Sequence, residues 1–515
     1  MCERFLTLPK ILMIEIDGLA WDIINPLIKK NRLPNIGSLI ENGSSGVLKS
    51  LDPILSPIIW TSIVSGKAPD KHGINGFFVN SNAVTCKRIW DIFTERGIRC
   101  GIFGHLVTWP PPKLDCFAVP DFFASGTEAF PPDLSFIKKI AIDEKQNVNR
   151  NILTYLRYWL KCLRYGVGFR TSFSVGLYFL IKMLRLISAL KDFHLKRLIA
   201  AKMNSEIFAY LHEKTNPDFS IFYTNILDSF CHVFWKFMEP EKFDNVLPRE
   251  VKRYGSIIPA AYQKVDCIIG NILSKTDKNT TVVVLSDHGF KADSSSSKLP
   301  LCRIQSSKLL DFLGLSNQVI ASNIAQVVYI RVKKNYHSSE EKVIDMLKTV
   351  RIKEADAPLF NVHSGNYSNL EIRVSDEAYE KLQTNSLKGK TVVFNDSMLR
   401  YEEVILEGDT KISGTHHEDG VLIMKGPHIR KSHRIHNAHV FDVVPTLLAL
   451  SGMEVASDMD GKILTNAIEK QFLHDYPIQY IDTYESPGGQ TEEYEKMIGD
   501  QEKVILRLRE LGYID

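Results

Sequence analysis

The sequence predicts an α/β protein with a doubly wound, mostly parallel central sheet flanked by helices. Short runs rich in β-branched residues each stop at a polar residue or a glycine, as strands buried on both faces do. Helical stretches separate these runs, and such alternation is the mark of a doubly wound sheet. Acidic and histidine residues gather just beyond the runs, at the carboxyl edge where open α/β sheets bind ligands.

The strands follow in order. Ile11 to Ile16 ends at Asp17-Gly18, and Ile98 to Phe103 ends at Gly104-His105. Phe219 to Thr224 runs up to Asp228, and Thr281 to Leu285 up to Asp287. Val421 to Met424 precedes Gly426-Pro427 and reads as another strand of the same parallel set.

Two segments break the pattern. From residue 147 to 202 the chain turns aromatic and basic (NRNILTYLRYWLKCLRYGVGFR, then LYFLIKMLRLISALKDFHLKRL) and reads as helices inserted into the core unit. Packing on the core with Lys and Arg stems reaching outward is the favoured reading; a peripheral contact with lipid is the alternative. From 291 to 412 the pattern is mixed, with SSSSK, a strand-like QVVYIRV and a helix at Ser338 to Thr349, as in a small cap. A catalytic unit of 1–146, 203–290 and 413–515 remains, and its final EKVILRLRELGYID reads as an amphipathic helix.

Bulk properties exclude other classes. At 515 residues the chain exceeds the roughly 250 to 300 at which one core stops growing. A 44% hydrophobic and 24% charged composition is that of a globular protein, not a disordered one. A net charge of +3 gives no ground for a nucleic-acid partner. Eight scattered cysteines, without a CxxC pair, suggest neither disulfides nor a thiolate metal site, which fits a reducing compartment. The longest apolar stretches, ILMIEI and FSVGLYFLI, are too short to span a bilayer and no leader cleavage site follows the first, so a cytoplasmic location is expected.

The chemistry lies in five short motifs. Asp17 stands at a strand end beside Gly18, an arrangement that an ordinary turn also produces. In SPIIWTSIVSGKAPDKHGI, Ser56-Pro57 predicts a helix start with Ser56 as its cap, so that the positive helix end would favour a deprotonated hydroxyl and an anionic phosphate. In LDSFCHVFW, Asp228 and His232 are four apart and share a face if helical. In VVVLSDHGF, Asp287 and His288 follow a buried strand, where charge costs energy unless a cation or substrate compensates. In GTHHEDG, His416 and His417 form a loop ahead of a strand, and one of them can join the cluster. Three carboxylates and three histidines suit divalent ions such as Zn²⁺, or Mn²⁺, and two ions together would serve an in-line phosphoryl displacement.

In this order the motifs resemble the alkaline phosphatase superfamily, specifically its type I phosphodiesterase and nucleotide pyrophosphatase family. The likeness runs from IEIDGLAWD through TWPPP, ILDSFCHVFW, LSDHGF and GTHHEDGVLIMKGP to DVVPTLLALSGM, DMDGK and RLRELGYI. It implies an alkaline-phosphatase-like fold and two metal ions, one on Asp228, His232 and His416, the other on Asp17, Asp287, His288 and Ser56. Ser56 is then the nucleophile, passing through a phosphoserine that water hydrolyses. Two departures stand out: Ile59 occupies the place of an asparagine that helps hold a phosphate oxygen, and Pro57 lacks the N–H of the residue after the nucleophile. Thr61 and Ser62 are the fallback nucleophiles. The expected substrate is a small organic phosphate diester or pyrophosphate. The alternatives are a phosphomonoesterase, a phosphotransferase or mutase on the same site, and a non-catalytic member that binds lipid or a partner.

Overall fold

The computed structural model of the protein describes residues 9–74, 76, 79–124, 126–145, 152–183, 189–244, 246–293, 301–324, 327–332, 339–364, 370–384, 386–408 and 413–486. The expected C-terminal amphipathic helix lies outside the described residues.

The centre is an eight-stranded sheet in the order His433–His439, Ser44–Lys49, Asp419–Lys425, Thr281–Leu285, Ile11–Ile16, Phe219–Thr224, Cys100–Phe103, Phe117–Val119. The strand Ile11–Ile16 is parallel to both its neighbours, with Ile11 level with Phe219 on one side and Thr281 on the other. Successive side chains point to opposite faces of a strand. Ile11 and Met13 accordingly join the apolar cluster containing Trp60 and Trp90, while Leu12, Ile14 and Ile16 join the one containing Phe222 and Tyr262. Burial on both faces is why these strands read as continuous apolar runs.

Three runs have the expected ends, whereas the Ile98 to Phe103 run becomes strand only from Cys100. The last run corrects the expectation more deeply. It spans Asp419–Lys425 and is antiparallel to both its neighbours. A parallel strand would have begun at the far edge of the sheet. Reversal brings its beginning, and the histidines just ahead of it, to the edge where the other strands end. Those histidines are not in a loop, for Gly414–His417 is itself a strand paired with Gly289–Ala292.

The basic, aromatic segment forms the helices Ile152–Arg164 and Phe169–Met183, followed by Ala189–Thr215. Farther on, the strand Val327–Val332 and the helix Glu340–Lys348 lie where QVVYIRV and the expected helix placed them. They pack around an apolar cluster of their own, which runs from Cys302 to Ile405. The seven described cysteines are all thiols.

Candidate functional site

Because the three central strands are parallel and in register, the segments leaving them emerge side by side. Asp17 follows the first; its backbone N–H donates to Thr224 O (3.0 Å) at the end of the next. The helix Ile226–Met238 starts almost at once and carries Asp228 and His232 one turn apart. Asp228 lies in the first turn, where the helix dipole favours a carboxylate. Its N–H donates to Asp17 O (3.1 Å). That approach needs glycine at position 18: φ is +76°, and a Cβ there would stand 2.9 Å from Asp228 Cα. A second close approach occurs at Gly414, where a Cβ would lie 2.4 Å from Cys231 O.

The structure brings Asp17, Asp228, His232, Asp287, His288 and His416 together, the first five buried and His416 only slightly exposed. Two sets of ligand atoms lie mutually within 4.8 Å: Asp228, His288 and His416, and Asp17, Asp287 and His288. His288 thus belongs to both sets. His232 joins the first through its Nε2, 3.2 Å from Asp228 Oδ1 and 3.0 Å from His416 Nε2. His417 stays apart, its Nδ1 accepting from Asp419 N–H (3.2 Å).

Each of the three converging histidines has its Nδ1 turned to a backbone carbonyl: His232 to Gly414 O (2.8 Å), His288 to Gly289 O (3.0 Å) and His416 to Ile54 O (3.3 Å). A carbonyl can only accept, so Nδ1 carries the proton and each Nε2 of a neutral ring presents a lone pair. Those lone pairs face carboxylate oxygens and one another. His288 Nε2 stands 3.1 Å from Asp17 Oδ1 without hydrogen-bond geometry, and both oxygens of Asp287 are buried with no hydrogen-bond partner among the described residues. Converging imidazole and carboxylate atoms, with Asp17 Oδ1, both Asp287 oxygens and His288 Nε2 lacking a hydrogen-bond partner among the described residues, are the donor set of a cation site.

The charge balance without a cation shows the same need. Burial, then the neighbouring Asp17 charge, raises the Asp287 carboxyl well above its usual range. Burial opposes a charged His288, but Asp287 and Asp17 outweigh it and push the imidazole up to about 10. Asp228 is held well below the usual carboxylate range: burial works against this, and His232 and His416 overcome it. Burial and the His288 charge bring His416 down to about 4. Protons thus sit where a cation would remove the strain.

Ser56 is the first residue of the buried helix Ser56–Ser65, not its cap; Leu55 holds that position. The hydroxyl instead lies beside Asp287 and lowers that carboxyl's pKa against the raising effect of burial. The neighbouring Ile54 carbonyl receives His416. The fallback nucleophiles are engaged elsewhere: Thr61 Oγ1 donates to Pro57 O (2.7 Å), and Ser62 Oγ bonds His72 Nε2 (3.0 Å). Since His72 Nδ1 accepts from Ile74 N–H, its Nε2 is the donor in that bond.

Sequence reasoning did not find two supports of the cluster. Tyr223, next to last in its strand, donates its hydroxyl to Asp17 Oδ2 (2.5 Å), leaving Oδ1 to face His288. Its ring meets Trp60 of the Ser56 helix edge-on, centroids 5.4 Å apart. Glu15 and His105 form a buried pair (Oε2 to Nδ1, 2.7 Å) two residues behind Asp17, and His105 in turn stands edge-on to Trp60 and Trp90. The lone charge in ILMIEI was the available sign of Glu15. Tyr223→Phe is expected to weaken divalent-ion affinity by about 10- to 100-fold without unfolding the protein, because outer-shell partners fix a ligand's orientation. Calorimetric titration of the metal-stripped protein checks this, and an unchanged affinity would contradict it.

Comparison with known proteins follows from here. No curated protein sequence matches the chain significantly. Among solved structures, human ectonucleotide pyrophosphatase/phosphodiesterase 5 is similar at 13% identity and a TM-score of 0.48, over 89% of this chain and 99% of that one. The sequence profile described as "Type I phosphodiesterase / nucleotide pyrophosphatase" matches residues 11–439, a span that begins at the strand leading to Asp17 and extends past His416. The chain is therefore a phosphoric ester hydrolase and belongs to the type I phosphodiesterase/nucleotide pyrophosphatase family.

Proposed function

We propose that the protein hydrolyses phosphodiesters or pyrophosphates of small organic molecules, with Ser56 as nucleophile and two divalent ions, Zn²⁺ by preference. The observation that carries this reading is the convergence of the three imidazole Nε2 atoms and the carboxylate oxygens of Asp17, Asp228 and Asp287 beside the Ser56 hydroxyl. Asp228, His232 and His416 would hold one ion, and Asp17, Asp287 and His288, with Ser56, the other. Such ions lower the pKa of a bound hydroxyl and offset charge on phosphoryl oxygens.

The chain's own residues do the rest. Its position at the positive end of a ten-residue helix favours the Ser56 alkoxide and the approach of a phosphate anion. Ser56 Oγ bonds to phosphorus as the bond to the leaving alcohol or phosphate breaks, giving a phosphoserine; water then cleaves the Ser56 ester. The catalytic body is proposed to comprise 1–146, 203–290 and 413–515, with 147–202 and 291–412 as insertions that shape the substrate side.

A diester is favoured over a monoester by the turn that follows Ser56. Pro57 has no N–H, while Ile58 and Ile59 are buried and give their N–H groups to Leu55 O (both 3.0 Å). That turn offers little to the extra terminal oxygen of a monoester dianion, and leaving a buried acceptor unpaired costs about 1–3 kcal/mol, more when it is charged. With Zn²⁺ or Mn²⁺ supplied, aryl phosphodiesters are expected to be turned over at least about tenfold faster than aryl monoesters. A preference for monoesters would overturn the diester reading in favour of a phosphomonoesterase, and transfer to an added alcohol in place of water would favour a phosphotransferase.

A further inference from the structure

The helix Phe169–Met183 is turned the wrong way round for contact with water. It buries Thr171 and Ser172 at 2% exposure each, with Thr171 Oγ1 donating to Glu206 Oε1 (2.8 Å). It presents Phe169 and Phe173 to the outside at 74% and 63% exposure, with Leu177 one turn farther along the same stripe. The preceding helix, Ile152–Arg164, adds exposed Leu156 and Leu160 at the same four-residue spacing. Trp159 of that helix and Phe169, Phe173 and Leu177 of the next border one open groove of about 330 Å³. Single exposed apolar residues are ordinary, but a contiguous aromatic and aliphatic face is not.

The charge carried by these two helices themselves has one sign. Residues 152–183 include Arg157, Lys161, Arg164, Arg170 and Lys182 and not one Asp or Glu. Lys161 and Arg164 lie near Asp133 (2.5 and 4.0 Å), and Arg164 still remains largely exposed. Arg157 and Arg170 are exposed and meet no carboxylate among the described residues. A second copy of the chain seated symmetrically on the face would set these cations against themselves. An anionic bilayer surface complements both features, taking the aromatic stripe into the acyl boundary and the cations among its headgroups. No described helix is long and apolar enough to cross a membrane, so the contact is one that lies on the surface.

We propose that the paired helices Ile152–Arg164 and Phe169–Met183 form a docking surface for anionic lipid bilayers. The helix that packs against Phe169–Met183 also reaches the catalytic cluster. Ala189–Thr215, which follows these helices, packs His194 against Phe230 (centroids 5.2 Å) and places Arg197 Nη1 2.6 Å from Ser229 Oγ, next to Asp228.

Co-sedimentation of the full chain with vesicles of phosphatidylcholine alone, or mixed with phosphatidylglycerol, tests this. Binding to the mixed vesicles is expected to exceed binding to the neutral ones by about tenfold or more and to weaken with salt. The pair Phe169→Ser and Phe173→Ser, and separately the pair Arg157→Glu and Arg170→Glu, should each lower it by about tenfold or more. Turnover of a soluble aryl diester should stay unchanged in both variants, which shows that they are folded. Absence of binding at low salt, equal binding to neutral vesicles, or binding indifferent to both variant pairs would each overturn the proposal. So would a dimer, seen by sedimentation velocity without vesicle binding, that the serine pair dissolves.

Discussion

Ser56→Ala is expected to lower turnover of an aryl phosphodiester by roughly a thousandfold or more, the scale of removing a nucleophile whose partners act with it as a unit. The effect should fall on kcat. The Ser56 hydroxyl is turned to Asp287 in the cluster, whereas Thr61 and Ser62, farther along the helix, are bonded to Pro57 and His72. Loss of the hydroxyl therefore removes chemistry without unpicking the fold, and the folding midpoint should barely move. Thr61→Ala and Ser62→Ala should do the reverse, lowering stability while sparing kcat by comparison. Steady-state kinetics with a denaturation curve for each variant check the set. Near-normal kcat in Ser56→Ala would remove the covalent route.

Asp287→Asn carries the second large effect, and its direction depends on metal. In the metal-stripped protein Asp287 is a buried carboxylate with two unpartnered oxygens beside a second acid, Asp17. Neutralising it removes the like-charge contact with Asp17 and also the attraction to His288, so the stripped variant should lie close in stability to the stripped parent. An ion held at a thousandfold excess over its dissociation constant adds about 4 kcal/mol to stability, and the variant should forfeit one such contribution. Chemical denaturation with and without added Zn²⁺ measures both arms. An undiminished Zn²⁺ gain in the variant would show that Asp287 holds no ion.

Much of this site was visible in the sequence because its residues end elements whose patterns are strong. Asp17, Asp287 and His288 follow apolar runs that could hardly be anything but buried strands, and Asp228 and His232 share a helix face by spacing alone. His416 was harder. Its place depends on the direction of the strand after it, and periodicity within a strand carries no information about direction. Ser56 was displaced by one residue, since Ser-Pro marks a helix start whether the serine is its cap or its first residue. Tyr223 and Gly414 left no trace, because what they do depends on a neighbour that is distant in sequence: Asp17 lies 206 residues from Tyr223. For the segment 147–202 the sequence left packing on the core and contact with lipid as alternatives, since an amphipathic pattern shows which face is apolar but not what that face meets.

The central claim is that two divalent ions sit in this cluster. Crystals of the Zn²⁺-loaded protein, measured at the zinc absorption edge, test it most directly. Two anomalous peaks are predicted, one bordered by Asp228, His232 and His416, the other by Asp17, Asp287, His288 and Ser56. No peak in the cluster, or a single peak shared through His288 that persists at saturating Zn²⁺, would contradict the account.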